Sequence, residues 1–333
     1  MKILTPFDYA GQISSLLEMA AEMKAGKARG SLAGRQVGLL FFDSSLRTRV
    51  SMEVAISKLG GHGVVLDAAK GMWPLEFKEG AVMDGVTVEH AKEAAGVLGR
   101  YVDLLGVRAF PKLVDWREER QERTLEAFAR WSGVPVLSLE GATSHPCQAL
   151  ADALTIRECL GHNLAGKTLT VTWAYHPKPL PMAVPNAIVA VGALLGMNVR
   201  LAHPPAWALD PDLMSRASAE ASSRGGSLKV VHEMDPAFEG SHVVYAKSWG
   251  SGQFYGRWDE EKRLRDGLKG WRVSPQHMRL TSGARFMHCL PVRRNVVVDD
   301  AVLDSPESVI LQQAGNRVWA QQALLLHMLG LSR

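Results

Sequence analysis

Residues 45–49 read SLRTR, and the side chains in this stretch are suited to binding an anion. Two hydroxyl groups and two guanidinium groups lie close together, and an arginine can contact two phosphate oxygens at once. The stretch follows an apolar run at 37–42 and precedes a helical pattern at 50–59. The start of a helix offers free backbone N–H groups to an anion. The pattern therefore predicts a phosphate-binding turn, the alternative being a capped helix with solvated arginines.

Further polar groups follow predicted strands elsewhere in the chain. Arg108 comes directly after the apolar run 104–107. The motif HPCQ places His145 and Gln148 at a predicted helix start, and the motif HCLP begins at His288. In open α/β sheets, ligands bind beyond the carboxyl ends of the strands. Because these groups are not paired carboxylates or clustered metal ligands, they favour chemistry at a polarised carbonyl over glycoside or metal-dependent hydrolysis. Taken alone, a histidine at a helix start such as His145 is more often a structural residue than a catalytic one.

Short apolar runs alternate with helical patterns along the chain, which predicts parallel sheets covered by helices on both faces. The expected fold class is α/β with two doubly wound parallel-sheet domains, because roughly 100–200 residues form one domain and the chain has 333. The domain hinge is predicted near 140–145. The predicted strands are 37–42, 63–66, 104–107, 135–138, 168–173, 198–202, 228–231, 242–246 and 285–289. The predicted helices are 8–27, 51–59, 89–100, 125–132, 145–160, 183–195, 209–224 and 316–331.

Charge and hydropathy of the whole chain indicate which kinds of partner are not expected. The net charge of +4 comes from 38 basic and 34 acidic residues. With no basic run or aromatic-basic surface, nucleic acid is not expected as a partner. No apolar run approaches the ~20 residues that span a membrane. Three scattered cysteines and the absence of a secretory pattern in residues 1–6 lead us to expect a soluble cytoplasmic protein.

Several enzyme classes lack their sequence signatures in this chain. There is no Gly-x-Ser-x-Gly elbow, no Walker loop and no strand-linked Gly-x-Gly-x-x-Gly. A serine hydrolase, an ATPase and a dinucleotide-dependent enzyme are therefore not expected. The cysteines form no metal-binding pattern.

The motifs at 45–49, 145–148 and 288–291, in this order and at these separations, resemble the aspartate/ornithine carbamoyltransferase family. The resemblance extends over almost the whole chain. It implies a carbamoyl-phosphate-binding domain at 1–143, an amino-acid-binding domain at 144–315, and a last helix at 316–333 that packs back on the first domain. It also implies a homotrimer with active sites at subunit interfaces, and a reaction that needs neither metal nor cofactor.

The same resemblance assigns roles to individual residues. It implies that Arg108, His145, Gln148 and Cys289 are catalytic, with Arg108 bridging the phosphate and carbonyl oxygens. Arg49 is expected to support the turn. The residues implied to bind carbamoyl phosphate are Ser45, Leu46, Arg47, Thr48, Trp73, Arg108, His145, Gln148, Leu290 and Arg293, with Trp73 reaching in from a neighbouring subunit.

The amine acceptor is indicated by the segment after a predicted strand. Residues 245–250 read YAKSWG, where ornithine carbamoyltransferases carry a serine-methionine-glycine loop that recognises a free α-amino group. Lys247 would repel an ammonium group and attract a carboxylate. Strings at 71–74, 82–85, 106–110 and 173–180 resemble the N-acetylornithine and N-succinylornithine carbamoyltransferases. By that resemblance Glu140, Lys247 and Arg293 bind an N-acylated ornithine, and the proline-rich segment 177–185 belongs to a knotted C-terminal domain.

Two positions bear on the acyl group, and both are included in the predicted acceptor site. The acetyl enzymes carry a glutamate where this chain has Val88 and a lysine where it has Val297. A carboxylate at 88 would repel the succinyl carboxylate, so we expect N-succinylornithine as the acceptor. The alternatives are an N-acetylornithine enzyme, a non-catalytic paralogue that binds carbamoyl phosphate, and a phosphate-sensing module.

Overall fold

The computed structural model describes residues 1–332, with the main chain alone at Ala69. These residues form two compact units, each built on a five-stranded parallel sheet. The predicted α/β class with parallel sheets is therefore confirmed. The first unit contains Met1–Lys112, Arg117–Cys147 and the chain from Arg317 onward, and the second contains Leu113–Trp116 and Gln148–Asn316.

Apolar runs form the strands of both sheets, and most match the predicted runs to within one or two residues. The first unit contains β1 (Lys2–Ile3), β2 (Gln36–Phe41), β3 (His62–Asp67), β4 (Leu75–Glu76), β5 (Glu89–His90), β6 (Leu104–Arg108) and β7 (Val136–Glu140). The second unit contains β8 (Thr168–Trp173), β9 (Asn198–Ala202), β10 (Ser227–Val231), β11 (Val243–Lys247) and β12 (Arg285–Met287). The short strands β1, β4 and β5 escaped prediction because two residues carry no periodicity, and β5 takes the first two residues of the helix predicted at 89–100.

Helices connect the strands. In chain order they are α1 (Ile13–Lys24), α2 (Leu46–Lys58), α3 (Ala68–Gly71), α4 (Ala91–Tyr101), α5 (Trp116–Glu119), α6 (Arg123–Trp131), α7 (Pro146–Leu160), α8 (Ala183–Leu194), α9 (Pro211–Ser223), α10 (Met234–Phe238), α11 (Trp258–Arg265), α12 (Pro275–Arg279), α13 (Asp300–Leu303) and α14 (Ile310–Met328). Short 3₁₀ turns lie at Pro6–Gln12, Pro205–Trp207 and Asp266–Leu268.

Three helix starts differ from the predictions by more than two residues. The predicted helix at 8–27 is a 3₁₀ turn followed by α1, with non-helical backbone at Tyr9. Helix α2 begins at Leu46 because Ser45 caps it: the Ser45 hydroxyl accepts a hydrogen bond from the Thr48 N–H at 3.2 Å. The SLRTR stretch is thus the first turn of the helix itself. Helix α14 begins at Ile310, six residues before the predicted start at 316.

In the first unit the strand order is β1-β7-β6-β2-β3. The order reverses between β2 and β6, whose last residues Phe41 and Arg108 are paired. A parallel sheet opens a crevice at such a reversal, beyond the carboxyl ends of the strands. The loop into α2 and the Arg108 side chain therefore lie where a ligand of this sheet is expected.

The second unit repeats this arrangement with the order β10-β9-β8-β11-β12. Its reversal lies between β8 and β11, where Trp173 pairs with Lys247. Lys247 and the segment after Trp173 therefore occupy the corresponding position in the second sheet. Strand β12 lies beside β11 and leads into the 288–291 turn.

Each sheet is covered by a core of apolar side chains. In the first unit Leu125 and Phe128 of α6 pack with Leu105, Val107 and neighbouring residues. Burying a side chain of this size contributes about 1.5–3 kcal/mol, so such clusters hold the strand ends in place. Among residues 1–332, no helix combines the length and apolar character that crossing a bilayer requires.

Candidate active site

Two guanidinium groups converge on one buried hydroxyl in the first unit. Nη2 of Arg317 donates to Oγ1 of Thr48 at 2.8 Å, and Nη1 of Arg108 lies 3.5 Å from the same oxygen. Thr48 is buried at the start of α2. Because the two arginines occupy its lone pairs, the Thr48 hydroxyl hydrogen is left to donate outward. This arrangement can bind an anionic oxygen.

One carboxylate partly balances these charges. Oε2 of Glu140 lies 2.6 Å from Nη1 of Arg108, in an ion pair that is almost fully buried. The guanidinium carbon of Arg108 also lies 4.1 Å from the centre of the Phe110 ring, in a cation–π contact. Glu140 has a φ of 155°, a strained backbone conformation of the kind that clusters at functional sites. With two arginines and one carboxylate, the cluster carries a net positive charge.

His145 completes this cluster as a neutral imidazole. Its Nε2 lies 3.4 Å from Nη1 of Arg317. Burial holds the pKa of His145 well below the usual 6.5, and the charges of Arg317 and Arg108 lower that pKa further. His145 therefore offers a hydrogen bond to a ligand without adding a full charge.

The first turn of α2 supplies the remaining donors. The Ser45 cap uses the N–H of Thr48, so the backbone N–H groups of Leu46 and Arg47 remain without intrahelical partners. The Leu46 side chain is 74% exposed, consistent with a role for its amide alone. Arg49 instead pairs with Glu53 one turn along the helix at 3.0 Å.

A partly buried carboxylate holds the loop between Glu140 and His145. Oε1 of Glu122 accepts hydrogen bonds from the N–H and the hydroxyl of Thr143, at 2.6 and 2.7 Å. A Cβ atom at Gly141 would lie 2.4 Å from Oε2 of Glu122, so a larger residue there would displace this carboxylate. Burial raises the pKa of Glu122, while the Thr143 hydrogen bonds oppose that rise. Glu122 therefore fixes the segment that carries both Glu140 and His145.

A different polar cluster lies in the second unit, around Asp152. Nε2 of Gln148 and Nε2 of Gln313 both donate to Oδ1 of Asp152 at 2.7 Å. The same Gln313 nitrogen lies 3.3 Å from the Tyr245 hydroxyl. Oε1 of Gln313 accepts from the backbone N–H of His288 at 3.0 Å. All of these side chains are buried, so the network ties Gln148 to the 288–291 turn.

The 288–291 turn has an unusual backbone. The N–H of Leu290 donates to Nδ1 of His288 at 2.9 Å. Leu290 has a φ of 56°, which is rare for a branched apolar residue, and the bond to Pro291 is cis. Cys289 is partly exposed in this turn. Two hydrogen bonds of His288, one from Leu290 and one to Gln313, therefore fix the directions of the backbone groups in this turn.

Basic side chains gather at the β8–β11 reversal. Nε of Arg293 donates to Nε2 of His176 at 3.0 Å, and Nδ1 of His176 contacts the carbonyl of Lys178. Burial lowers the pKa of His176, and the charges of Arg293, Lys247 and Arg265 lower it further. His176 is therefore a neutral bridge within a positive region suited to a carboxylate.

The remaining predicted residues lie apart from these clusters. Trp73 comes just before β4 and Val88 just before its partner strand β5, and the N–H of Val88 donates to the carbonyl of Pro74 at 3.1 Å. Both side chains are well exposed, at 66% and 59%. Val297 is 2% exposed and packs in the core of the second unit, so its side chain has no open surface there. Among residues 1–332, no three His, Cys, Asp or Glu side chains are grouped to hold a metal ion.

Two family models match the chain. The model for the aspartate/ornithine carbamoyltransferase, carbamoyl-P binding domain matches residues 3–158, and the model for the Asp/Orn binding domain matches residues 182–328. The chain belongs to the aspartate/ornithine carbamoyltransferase family. The family predicted from the three motifs is therefore confirmed.

Individual carbamoyltransferases are similar over nearly their full length. The chain is 47% identical to the N-acetylornithine carbamoyltransferase of Xanthomonas campestris pv. campestris, covering 97% of this chain and 95% of that one. It is 39% identical to the N-succinylornithine carbamoyltransferase of Bacteroides thetaiotaomicron, covering 95% of each. A crystal structure of acetylornithine transcarbamylase complexed with acetylcitrulline superposes with a TM-score of 0.96 at 45% identity, covering 100% of this chain and 99% of that one.

Five residues of this carbamoyltransferase were not among the predicted site residues and emerge from its structure: Arg317, Glu122, Asp152, His176 and Gln313. Arg317 contacts Thr48 from a position 269 residues away, so no local pattern could have found it. Asp152 carried a weak signal, since it lies one helical turn after Gln148. His176 lies in the 173–180 string that indicated the acyl-ornithine enzymes.

Proposed function

We propose that the chain transfers the carbamoyl group of carbamoyl phosphate to the δ-amino group of an N2-acylated L-ornithine. The products are an N-acyl-L-citrulline and phosphate, in arginine biosynthesis. The observation that carries this proposal is the pair of guanidinium groups on Thr48 at the capped start of α2. This group offers charge to both a phosphate and a developing oxyanion.

The first unit recognises the phosphate and the carbonyl oxygen. The α2 start binds the phosphate through the side chains of Ser45, Arg47 and Thr48 and the amide of Leu46. Arg108 bridges the phosphate and the carbonyl oxygen, and His145 donates to that oxygen. The observed net positive charge of the cluster suits the dianionic substrate.

The second unit recognises the carbamoyl NH₂ group. Gln148 and the backbone near Cys289 and Leu290 accept its two hydrogen bonds. The hydrogen bond from Gln148 to Asp152 uses the amide nitrogen, and the carbonyl oxygen is the end of the amide that accepts from an NH₂ group.

The reaction follows from these positions. The δ-amine attacks the carbamoyl carbon, and negative charge develops on the carbonyl oxygen beside Arg108, Thr48 and His145. As the C–N bond completes, the C–O bond to phosphate breaks, and the leaving phosphate takes the proton of the amine. A fixed donor aimed at a developing oxyanion typically raises kcat by about 10²–10³-fold. Because Arg317 holds the Thr48 hydroxyl in place, it supports one of these donors.

The acceptor carries a carboxylate and no free α-ammonium group. Lys247 and Arg293 supply positive charge for the α-carboxylate, and Glu140 accepts from the amine end of the substrate. The positive region around His176 supports this assignment, because a free ammonium group would be repelled there.

N-Acetylornithine is the favoured acyl form. The 47% identity to an N-acetylornithine carbamoyltransferase exceeds the 39% identity to an N-succinylornithine carbamoyltransferase, so the relatives favour the alternative over the succinyl preference expected above. N-Succinylornithine stays a second candidate because Val88 is exposed and uncharged. A role for Val297 lacks geometric support.

The proposed assembly is a homotrimer in which Trp73 reaches the carbamoyl phosphate of a neighbouring subunit. The exposure of Trp73 and of Val88, which precede the paired strands β4 and β5, supports this role. We also propose that the second unit is knotted at the proline-rich segment 177–185, where the carbonyl of Leu180 accepts from the N–H of Gly250.

An acceptor panel tests the proposal. Purified protein is given carbamoyl phosphate with ornithine, N-acetylornithine or N-succinylornithine, and the citrulline product is measured. We expect N-acetylcitrulline at the highest kcat/KM and no product from ornithine. A higher kcat/KM for N-succinylornithine would select the second candidate. Carbamoyl phosphate binding without product from any acceptor would instead identify a non-catalytic paralogue.

A further inference from the structure

Asp152 determines which end of the Gln148 amide faces away from the helix. A glutamine amide has a donor end and an acceptor end of nearly equal size, and nothing in its shape distinguishes them. An ionised carboxylate only accepts hydrogen bonds, so Nε2 of Gln148 must face Asp152, at the observed 2.7 Å. The Gln148 carbonyl oxygen is therefore presented on the opposite side, as an acceptor.

Gln313 extends this control to the 288–291 turn. Its Nε2 donates to the same Asp152 oxygen, and that contact orients its Oε1 toward the backbone N–H of His288. His288 in turn accepts from the N–H of Leu290. One carboxylate thus fixes two separate sets of acceptors, the Gln148 amide and the turn that contains Leu290.

Burial strengthens this arrangement. Gln148 and Asp152 are each 1% exposed, and Gln313 is fully buried. Hydrogen bonds to a charged group in such surroundings are stronger than those between neutral groups, so a flipped amide would be strongly disfavoured. Burial raises the pKa of Tyr245, and the charge of Asp152 raises it further, so the tyrosine stays protonated as part of the network.

We propose that Asp152 and Gln313 are positioning residues that make the enzyme selective for an acyl phosphate with an NH₂ group. This inference rests on the proposed function, in which Gln148 and the 288–290 backbone accept from that group. Acetyl phosphate has a methyl group in the same place and would leave both acceptors unpaired. A site built around hydrogen bonds to an N–H rejects an analogue that lacks them.

The test compares the KM for carbamoyl phosphate with the inhibition constant of acetyl phosphate. In Asp152→Ala, we expect kcat/KM for carbamoyl phosphate to fall by about tenfold or more, mainly through KM, while inhibition by acetyl phosphate changes by less than about threefold. Asp152→Asn keeps an acceptor oxygen and should restore most of the selectivity. Gln313→Leu should lower the selectivity for carbamoyl phosphate over acetyl phosphate, as Asp152→Ala does.

Thr155→Val is the matched control. Thr155 accepts from Asn316 at 2.9 Å, one turn further along the same two helices. This variant should keep the selectivity of the parent. It therefore shows whether weakening the packing between α7 and α14 is enough to change selectivity without the loss of Asp152.

The outcomes separate this inference from the proposed function. If the parent protein forms no N-acylcitrulline, the proposed function fails. If the parent is active but Asp152→Ala and Gln313→Leu keep the parental ratio of the two constants, the positioning role is wrong. Equal losses for carbamoyl and acetyl phosphate would also overturn it, since they indicate a merely structural role.

Discussion

The two units each contain a buried polar cluster, and the chemistry of the two clusters is unlike. At the β2–β6 reversal, the first unit gathers two guanidinium groups, a neutral imidazole and one carboxylate. Beside β11, the second unit orients neutral amides on one buried carboxylate. The first cluster is suited to stabilising charge, and the second to distinguishing hydrogen-bond donors.

We therefore expect the first cluster to determine mainly kcat and the second to determine mainly the selectivity for the NH₂ group. Charge that meets a developing oxyanion contributes mainly to the transition state, so its loss lowers kcat. An oriented amide recognises the NH₂ group in ground state and transition state alike, so its loss raises KM. Changes in the first unit should therefore be the more damaging to turnover.

The largest expected effect is that of Arg108→Ala. The change removes the charge beside the carbonyl oxygen and leaves Glu140 without the partner it has at 2.6 Å. We expect kcat/KM for carbamoyl transfer to fall by about 10³-fold or more. Arg49→Ala is the control, because Arg49 pairs with Glu53 on an exposed helix face and should matter little. An Arg108→Ala rate within about tenfold of the parent is incompatible with the assigned role.

Lys247→Ala should have the next largest effect, and it acts on the acceptor alone. Loss of a charge facing the α-carboxylate should raise KM for N-acetylornithine by about 10- to 100-fold, with KM for carbamoyl phosphate little changed. Lys229, exposed on β10, offers a matched lysine in the same sheet. If Lys229→Ala behaves like Lys247→Ala, general field effects explain the result.

Val88→Glu should change the acyl preference moderately. A carboxylate on this exposed loop would repel a succinyl group and leave an acetyl group unaffected. We expect the ratio of kcat/KM for N-acetylornithine over N-succinylornithine to rise by about tenfold. Val88→Gln separates charge from size, and an equal response to both variants would contradict electrostatic exclusion.

The smallest expected effect concerns acid stability. The folded protein keeps His145 neutral while the unfolded chain binds a proton below its usual pKa of 6.5. Stability from this group is therefore complete above pH 6.5 and is lost as the pH falls below it. His145→Gln should reduce the drop in melting temperature between pH 7.5 and 5.5 by about 2–4 °C. An unchanged drop would show that His145 titrates normally.

Local sequence predicted more of the first cluster than of the second. Ser45, Thr48 and Arg108 each follow a strand or begin a helix, so chain order alone indicated their positions. Arg317 joins them through tertiary folding across 269 residues, and Gln313 reaches Asp152 across 161. Periodicity identifies α14 as a helix but cannot show which buried face meets which partner.

Boundaries were missed where side chains rather than patterns decide them. Helix α2 starts at Leu46 because the Ser45 hydroxyl satisfies a backbone N–H, although the apolar pattern begins only near residue 50.

Val297 was predicted as a site residue because the acetyl enzymes carry a lysine at this position, yet its side chain is buried in the core of the second unit. Relatives indicate chemistry at a position, and packing determines whether the side chain can reach a ligand.

Inhibition by inorganic phosphate tests the division between the two units most directly. Phosphate carries the anionic half of the substrate without its NH₂ group. Arg47→Ala should weaken phosphate inhibition by about tenfold or more, whereas Asp152→Ala should leave it within about twofold of the parent. Weakened phosphate inhibition in Asp152→Ala, with parental inhibition in Arg47→Ala, would contradict the account.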